Sequence, residues 1–224
     1  MNTEVSGDVA GRAAVHRALG DPSRLAIFDA LVLSDRMPGE LRAATGLDWN
    51  LLGFHLRTLE NAGVVRRRVS DGDRRRRYVR LRPGALDRLG VTPELAGIGS
   101  PLFVCTHNSA RSQFAAALWR KVSGRSAASA GSRPAAAVHP LAVEVAARHG
   151  VDLTRARPRG YDEIGTEPDL VVSVCDRASE GGVPFDAPRL HWSVPDPSGG
   201  ERPAFEAAFA DIAERLARLA RVAA

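Results

Sequence analysis

The sequence predicts an α/β protein in two parts: a helical N-terminal part ending in a basic hairpin, and a C-terminal part built around a parallel sheet. Two patterns predict this division. From residue 9 to 63, helix caps and stops recur, and two β-capable runs joined by Asp71-Gly72 follow, which is a hairpin signal. Beyond residue 100, short apolar runs alternate with helix-forming segments, as in parallel sheets with crossover helices.

Composition limits the class of protein. The 224 residues are 44% hydrophobic and 25% charged, with a net charge of +5, which is typical of a globular protein. No apolar run reaches the roughly 18 residues of a membrane helix, and residues 1–8 lack an apolar signal region. The two cysteines exclude a disulfide scaffold and favour a reducing compartment. We therefore expect a cytoplasmic protein with no membrane partner.

The N-terminal elements follow from local signals. Asp21 and Asp48 are good N-caps, and Pro22 suits the first position of a helix. After a loose tail over residues 1–8, the predicted helices cover 9–19, 23–33, 39–44 and 49–61, and the predicted strands cover 64–69 and 74–81. This order, with a helix-turn-helix before a hairpin, predicts a winged helix-turn-helix domain.

The hairpin carries nine arginines within 17 residues. They are Arg66, Arg67, Arg68, Arg74, Arg75, Arg76, Arg77, Arg80 and Arg82. Such a run is either a solvated charged surface or a set of phosphate contacts. Because it follows a helix-turn-helix pattern, we predict DNA binding, with Arg74, Arg75, Arg76 and Arg77 of the hairpin on the phosphate backbone and Asn50, His55 and Arg57 at base edges.

Two stretches, residues 16–24 (HRALGDPSR) and 56–65 (LRTLENAGVV), resemble the ArsR family of bacterial repressors. The resemblance covers about residues 9–82 and implies operator DNA as a partner and a homodimer. The sequence departs from the family in two ways. The family's metal-sensing cysteines are absent from residues 9–82. The predicted recognition helix carries Trp49 and Phe54, which are either core residues, dimer residues or base contacts.

The stretch from Leu86 to Ser100 contains repeated helix breakers, including Gly90, Pro93 and Gly97. It predicts a short helix followed by a linker, with the domain boundary near residue 95. The predicted domains are therefore 1–95 and 96–224.

The second domain is organised around residues 102–113 (LFVCTHNSARSQ). An apolar strand enters Cys105, a small polar loop follows, and Arg111 and Ser112 begin a helix. Backbone N–H groups at a helix start bind anions and favour a cysteine thiolate. Arg111 offers a bidentate fork for a tetrahedral oxyanion, and Ser112 a hydroxyl for the thiolate. The alternative is that Cys105 is an inert core thiol.

This motif resembles the phosphate-binding loop of low-molecular-weight protein tyrosine phosphatases, and most closely that of their arsenate reductase branch, in which Gln follows Arg-Ser. The resemblance runs from about Pro101 to the C-terminus and implies a three-layer α/β domain that binds arsenate or phosphate. It implies that Cys105 attacks the oxyanion, and that the loop residues Thr106, His107, Asn108, Ser109 and Ala110 cradle it. A carboxylate that holds a cation in some arsenate reductases is Ala116 here, so no metal is expected.

Two further residues take roles from this resemblance. Asp196, in Val194-Pro195-Asp196-Pro197, matches the family's general acid, although Asp-Pro also starts ordinary turns. Cys175 ends an apolar strand over residues 169–175 and matches the cysteine that releases arsenite by forming a disulfide; the alternative is a structural thiol. The third cysteine of the thioredoxin-coupled relay is replaced by Gly182.

The sequence thus predicts an arsenate reductase fused to an ArsR-type regulator, with no bound cofactor. An external thiol is expected as reductant: thioredoxin, or a mycothiol-like or glutathione-like molecule. Two other functions stay open. One is a phosphotyrosine phosphatase, and the other is a pure regulator whose second domain only senses an oxyanion or the redox state.

Overall fold

A computed structural model describes residues 4–83 and 98–222. The predicted domain boundary near residue 95 and most of the predicted helix and linker over residues 86–100 fall within residues 84–97, outside the described residues. The chain divides into two compact units. The first comprises Met1–Val69 and Arg75–Thr92, and the second comprises Ser70–Arg74 and Pro93–Ala224.

Over residues 4–83, the first unit contains four helices and an antiparallel strand pair. The elements are α1 (Glu4–Leu19), α2 (Pro22–Leu31), α3 (Pro38–Thr45), α4 (Trp49–Asn61), β1 (Val65–Val69) and β2 (Arg77–Leu81). The predicted caps form: Asp21 accepts from the N–H of Arg24 at 3.0 Å, and Asp48 from that of Leu51 at 2.9 Å. The predicted tail is wrong in part, since α1 begins at Glu4, and β2 starts three residues later than predicted.

Helix α4 is amphipathic. Leu52, Leu56 and Leu59 recur at helical spacing on its buried face and join the core of this unit. Trp49 and Phe54 point away from that core and are 58% and 53% exposed. Their predicted alternative as core residues of this unit is therefore wrong.

The second unit contains a four-stranded parallel sheet in the order β4-β3-β5-β6. The strands are β3 (Pro101–Cys105), β4 (Ala128–Gly131), β5 (Leu170–Ser173) and β6 (Arg189–His191). This confirms the predicted parallel α/β sheet. Every residue of β3 and β5 is buried, as strands covered on both faces require. Because these two strands are neighbours, the segments after Cys105 and Ser173 leave the sheet side by side.

Helices cover this sheet. They are α5 (Arg111–Ser123), α6 (Pro140–Arg148), α7 (Asp176–Glu180) and α8 (Arg202–Val222). Helix α5 packs on β3, β4 and α8. The ring of Phe103 lies 6.4 Å from that of Trp119 and 6.2 Å from that of Trp192, which fixes β3 in the core. Among the helices of the described residues, none has the length and apolar content that a membrane crossing requires.

Candidate active site

The predicted oxyanion loop lies between β3 and α5. Its carbonyl groups accept hydrogen bonds from residues 132–139, the segment that follows β4. Four backbone hydrogen bonds join the two segments. The N–H of Ser132 donates to the carbonyl of Cys105 at 3.3 Å, and that of Arg133 to the carbonyl of Thr106 at 2.8 Å. The N–H of Ala135 donates to the carbonyl of His107 at 3.0 Å, and that of His139 to the carbonyl of Ser109 at 2.8 Å. In a trans peptide the C=O and the following N–H point in opposite directions. The N–H groups of Thr106, His107, Asn108 and Ala110 therefore turn away from this segment, towards the interior of the loop.

A polar network of buried side chains sets the shape of the loop. Asn108 has a positive φ of 48°, a conformation that asparagine tolerates better than most residues. Its Nδ2 donates to Ser112 Oγ at 2.7 Å, and its Oδ1 accepts from the backbone of Arg159 at 2.9 Å. Gln113 Nε2 donates to Asn108 Oδ1 at 3.0 Å, to Asn108 O at 3.1 Å and to Arg157 O at 3.0 Å.

Gln113 and Gly131 were not predicted as site residues. The sequence motif marks Gln113 only as a sign of the arsenate reductase branch, whereas its hydrogen bonds to Asn108 and to the carbonyl of Arg157 brace the loop. Gly131 ends β4, where an added Cβ would lie 2.7 Å from the oxygen of Thr106 and 2.9 Å from the nitrogen of Asn108. The loop can therefore pack this closely only against glycine.

The Cys105 thiol faces two donors inside the loop. The N–H of Asn108 donates to its Sγ at 3.2 Å, and the hydroxyl of Ser112 lies 3.0 Å from it. Helix α5 begins at Arg111, so its positive end lies beside the sulfur. Two hydrogen-bond donors and the start of α5 therefore surround the sulfur of Cys105.

Arg111 is 5% exposed and faces the same space. Its Nη1 donates to the carbonyl of Val194 at 3.0 Å, and its Nη2 lies 3.2 Å from Oδ1 of Asp196. Burial lowers the pKa of Arg111, but the negative charges of Cys175, Cys105, Asp196 and Asp71 outweigh burial and raise it. The guanidinium of Arg111 is therefore a permanent positive charge beside Cys105, where it can bind an oxyanion.

Asp196 follows β6 on the predicted acid loop and lies against Arg111. Burial raises the pKa of its carboxyl, but the charge of Arg111 and hydrogen bonds from Ser198 outweigh burial and lower it. The N–H and Oγ of Ser198 lie 3.2 Å and 2.9 Å from Asp196 Oδ1. Asp196 is thus an ionised carboxylate paired with the arginine.

Cys175 lies at the edge of the oxyanion loop. Its Sγ is 3.4 Å from the hydroxyl of Thr106 and accepts from the N–H of Ala178 at 3.4 Å, so that it caps α7. Burial raises the pKa of the Cys175 thiol, the charge of Arg111 lowers it, and that of Cys105 raises it further, so the net direction is upward. The structure brings both cysteines of the chain to one site.

A buried polar triad supports the turn after Cys175, and sequence reasoning missed it. His191 Nε2 lies 3.1 Å from Asp176 Oδ1, and its Nδ1 lies 2.9 Å from the hydroxyl of Ser173. Burial raises the pKa of Asp176, but hydrogen bonds from His191, the N–H of Asp71 and Ser193 outweigh burial and lower it. Because Asp176 adjoins Cys175, this triad fixes the position of the second thiol.

Most of the residues predicted to contact DNA are exposed. Asn50 and Arg57 are exposed on α4, and Arg74, Arg75, Arg76 and Arg77 are exposed at the hairpin. One residue of the predicted set, His55, differs, and Arg80, a hairpin arginine outside that set, is also buried. His55 is only 4% exposed, so it packs inside the unit and does not reach a base edge. Arg80 is 2% exposed, and its Nε lies 4.0 Å from Asp35 Oδ2.

Within residues 4–83 and 98–222, no group of three or more His, Cys, Asp or Glu side chains is arranged to hold a metal ion. The site described above consists instead of two thiols, a guanidinium, a carboxylate and a ring of backbone N–H groups.

Known proteins resemble the second unit. The chain is 34% identical to an arsenate reductase of Brevibacillus brevis over 123 residues, which are 53% of this chain and 91% of that protein. It is 36% identical to an arsenate reductase of Bacillus cereus over 121 residues, which are 52% of this chain and 90% of that protein. The crystal structure of an Archaeoglobus fulgidus arsenate reductase matches with a TM-score of 0.50 and 34% identity, over 54% of this chain and 98% of that one.

The model of the low molecular weight phosphotyrosine protein phosphatase family matches residues 101–224. This range contains the oxyanion loop, both cysteines, Arg111 and Asp196. The match covers more than half of the chain and ends where the sequence ends. The chain therefore belongs to the low molecular weight phosphotyrosine protein phosphatase family.

Proposed function

We propose that the second unit reduces arsenate to arsenite, using Cys105 as nucleophile and Cys175 as the resolving thiol. The observation that carries this proposal is the position of Cys175, whose sulfur lies 3.4 Å from Thr106 Oγ1 of the oxyanion loop. Hydrolysis of a phosphate ester needs one nucleophilic cysteine and water, whereas reduction needs two electrons that a pair of thiols supplies on forming a disulfide. The relatives named arsenate reductases support the same assignment.

The first step forms a sulfur–arsenic bond. The loop N–H groups and the guanidinium of Arg111 bind arsenate, and the Cys105 thiolate attacks arsenic(V). One arsenic–oxygen bond breaks, and the departing oxygen takes a proton from Asp196 and leaves as water. Arsenate brings negative charge to Arg111, which weakens the pull of that arginine on Asp196 and favours the protonated acid.

The second step transfers the electrons. The Cys175 thiolate attacks the sulfur of Cys105, a sulfur–sulfur bond forms, and the sulfur–arsenic bond breaks with its electron pair passing to arsenic. Arsenic(V) becomes arsenic(III) and leaves as arsenite, while the two thiols become a disulfide. An external thiol then returns the chain to its reduced form by disulfide exchange, and is itself oxidised. With only two cysteines in the chain, no third one can carry the disulfide elsewhere.

We propose further that the first unit is a winged helix-turn-helix of the ArsR type that binds operator DNA as a homodimer. The order of α2, α3, α4 and the β1–β2 hairpin supports this, as do the exposed arginines 74–77. Asn50 and Arg57, both exposed on α4, are the proposed base contacts. His55 is left out because it is buried.

The test is steady-state turnover of the purified full chain with arsenate and with 4-nitrophenyl phosphate. We expect arsenate-dependent oxidation of a reductant, either thioredoxin or a small thiol, that Cys105→Ser abolishes. Cys175→Ser should abolish the same oxidation but leave ester hydrolysis in place. Brisk ester hydrolysis with no arsenate reduction would instead assign the chain to the phosphatases, and absence of both would leave a regulator that only senses the oxyanion.

A further inference from the structure

The segment Ser70–Arg74 belongs to the same compact unit as the active site, although it stands far from the site in sequence. Ser70 is 2% exposed, and its hydroxyl donates to Glu180 Oε1 at 2.7 Å while accepting from the N–H groups of Gly72 at 2.9 Å and Asp73 at 3.1 Å. An added Cβ at Gly72 would collide with the carboxylate of Glu180. The segment therefore packs closely against α7.

Asp71, in the middle of this segment, contacts both functional loops. Its Oδ2 accepts from the N–H of Asp196 at 3.0 Å. Its own N–H donates to Oδ2 of Asp176 at 2.7 Å, and its carbonyl accepts from Nε of Arg177 at 3.3 Å. One residue thus holds the backbone of the acid loop and the turn that directly follows Cys175.

The charge of Asp71 also acts on the active site. The carboxylate of Asp71 is among the negative charges that raise the pKa of Arg111, so it lies within range of the oxyanion-binding cation. The family match begins at residue 101, so Asp71 lies outside the part of the chain that the family describes.

We propose that Asp71 is a positioning residue for the active site: it holds the acid loop so that Asp196 points at Arg111 and at the oxygen that leaves. This rests on the proposed function, in which Asp196 is the general acid. A hydrogen bond to the backbone of Asp196 acts through orientation, so its loss should slow proton delivery and leave binding of the oxyanion nearly unchanged.

The variants are Asp71→Ala, which removes the acceptor, and Asp71→Asn, whose amide oxygen can still accept. Asp73→Asn is the matched control, because it removes a charge from the same segment while the contact of Asp73 with Ser70 is made by the backbone N–H. The substrates are phenyl phosphate and 4-nitrophenyl phosphate. Phenolate is the poorer leaving group and depends more on the acid.

For Asp71→Ala we expect kcat to fall about tenfold on phenyl phosphate and distinctly less on 4-nitrophenyl phosphate. KM should be nearly unchanged for both. Asp71→Asn should recover most of the loss, and Asp73→Asn should behave as wild type. An equal loss on both substrates, a change confined to KM, or wild-type rates in Asp71→Ala would each overturn the proposal.

A second measurement keeps this test separate from the arsenate assignment. Amide hydrogen exchange across residues 193–198 of the full chain should quicken in Asp71→Ala and stay near wild type in Asp71→Asn and Asp73→Asn. If the wild type hydrolyses esters without reducing arsenate, the proposed function fails while the leaving-group comparison still decides the role of Asp71. If neither substrate is turned over, unchanged exchange at Asp196 in Asp71→Ala overturns the proposal, and faster exchange supports the positioning contact.

Discussion

Nη2 of Arg111 lies 3.2 Å from Oδ1 of Asp196, so the proposed anion-binding cation and the proposed acid form an ion pair. The pairing keeps Asp196 ionised and the guanidinium oriented. In the proposed mechanism, an incoming oxyanion replaces the carboxylate of Asp196 as partner of the arginine. The same event therefore seats the substrate and allows the acid to take up its proton.

Arg111→Lys tests the need for a planar fork. Lysine keeps the charge but loses both bidentate recognition and the Nη1 bond to Val194. We expect kcat/KM for arsenate to fall about 100-fold or more. Arg120→Lys is the control, since Arg120 lies on the same helix and donates to Ala127 at its far end. A loss of less than threefold in Arg111→Lys would contradict the assignment.

Cys175→Ser separates reduction from hydrolysis. Serine is a good N-cap, so α7 should persist and the loop around Cys105 should keep its shape. We expect hydrolysis of 4-nitrophenyl phosphate within about threefold of wild type and arsenate reduction lowered at least 100-fold. Mass spectrometry after incubation with arsenate should detect an arsenic adduct on Cys105. Unchanged arsenate turnover would mean that Cys175 is structural and that the external thiol resolves the adduct.

Asp176 predicts a dependence of stability on pH. Its pKa in the folded protein lies below the ordinary 3.8, because the hydrogen bonds from His191, the Asp71 N–H and Ser193 outweigh burial. Folding therefore favours the ionised form, and the stability this contributes is complete above pH 3.8 and is lost as the pH falls through the folded pKa.

The corresponding variant is Asp176→Asn. It should lower the free energy of unfolding by about 1–2 kcal/mol at pH 7, and the difference from wild type should shrink between pH 4 and pH 2. Urea unfolding at each pH measures this, with Asp186→Asn on the surface as control. A difference that stays constant with pH would show that the charge of Asp176 is not involved.

The exposed hairpin arginines predict binding that depends strongly on salt. Replacing Arg74, Arg75, Arg76 and Arg77 with Ala should weaken binding to every duplex about equally and reduce the slope of log K against log salt by up to about 3.6. Asn50→Ala and Arg57→Ala should lower affinity for the operator and spare nonspecific duplex. Replacing Arg148 and Arg202 with Ala, in α6 and α8, is the control. No duplex affinity of the wild type at low salt would end the regulator proposal.

The catalytic loop could be predicted because strand, loop and helix are contiguous in the sequence, so local signals place Cys105 and Arg111 together. The starts of helices α2 and α4 could be predicted too, because the caps at Asp21 and Asp48 are local sequence signals. The family resemblance supplied the roles of Asp196 and Cys175. The resemblance did not supply the contacts of these two residues. Cys175 reaches the oxyanion loop because β3 and β5 are neighbours in the sheet, and Arg111 meets the acid loop across more than 80 residues of sequence.

Other features could not be predicted from the sequence. The sequence groups Arg80 with the other arginines of the basic hairpin, but Arg80 is buried beside Asp35. Helix α7 is too short, at five residues, to show a periodic pattern. Asp71 reads as an ordinary turn residue, and its contact with Asp196 spans 125 residues of sequence.

The central claim is that Cys105 and Cys175 together deliver two electrons to arsenate, and a single-turnover thiol count tests it most directly. The chain has only two cysteines, so the reduced, denatured protein should show two free thiols. After incubation with arsenate and no reductant, we expect both thiols to be lost, one arsenite to form per chain, and a Cys105–Cys175 disulfide in the peptide map. Two thiols still free after incubation, with no arsenite formed, would contradict the account.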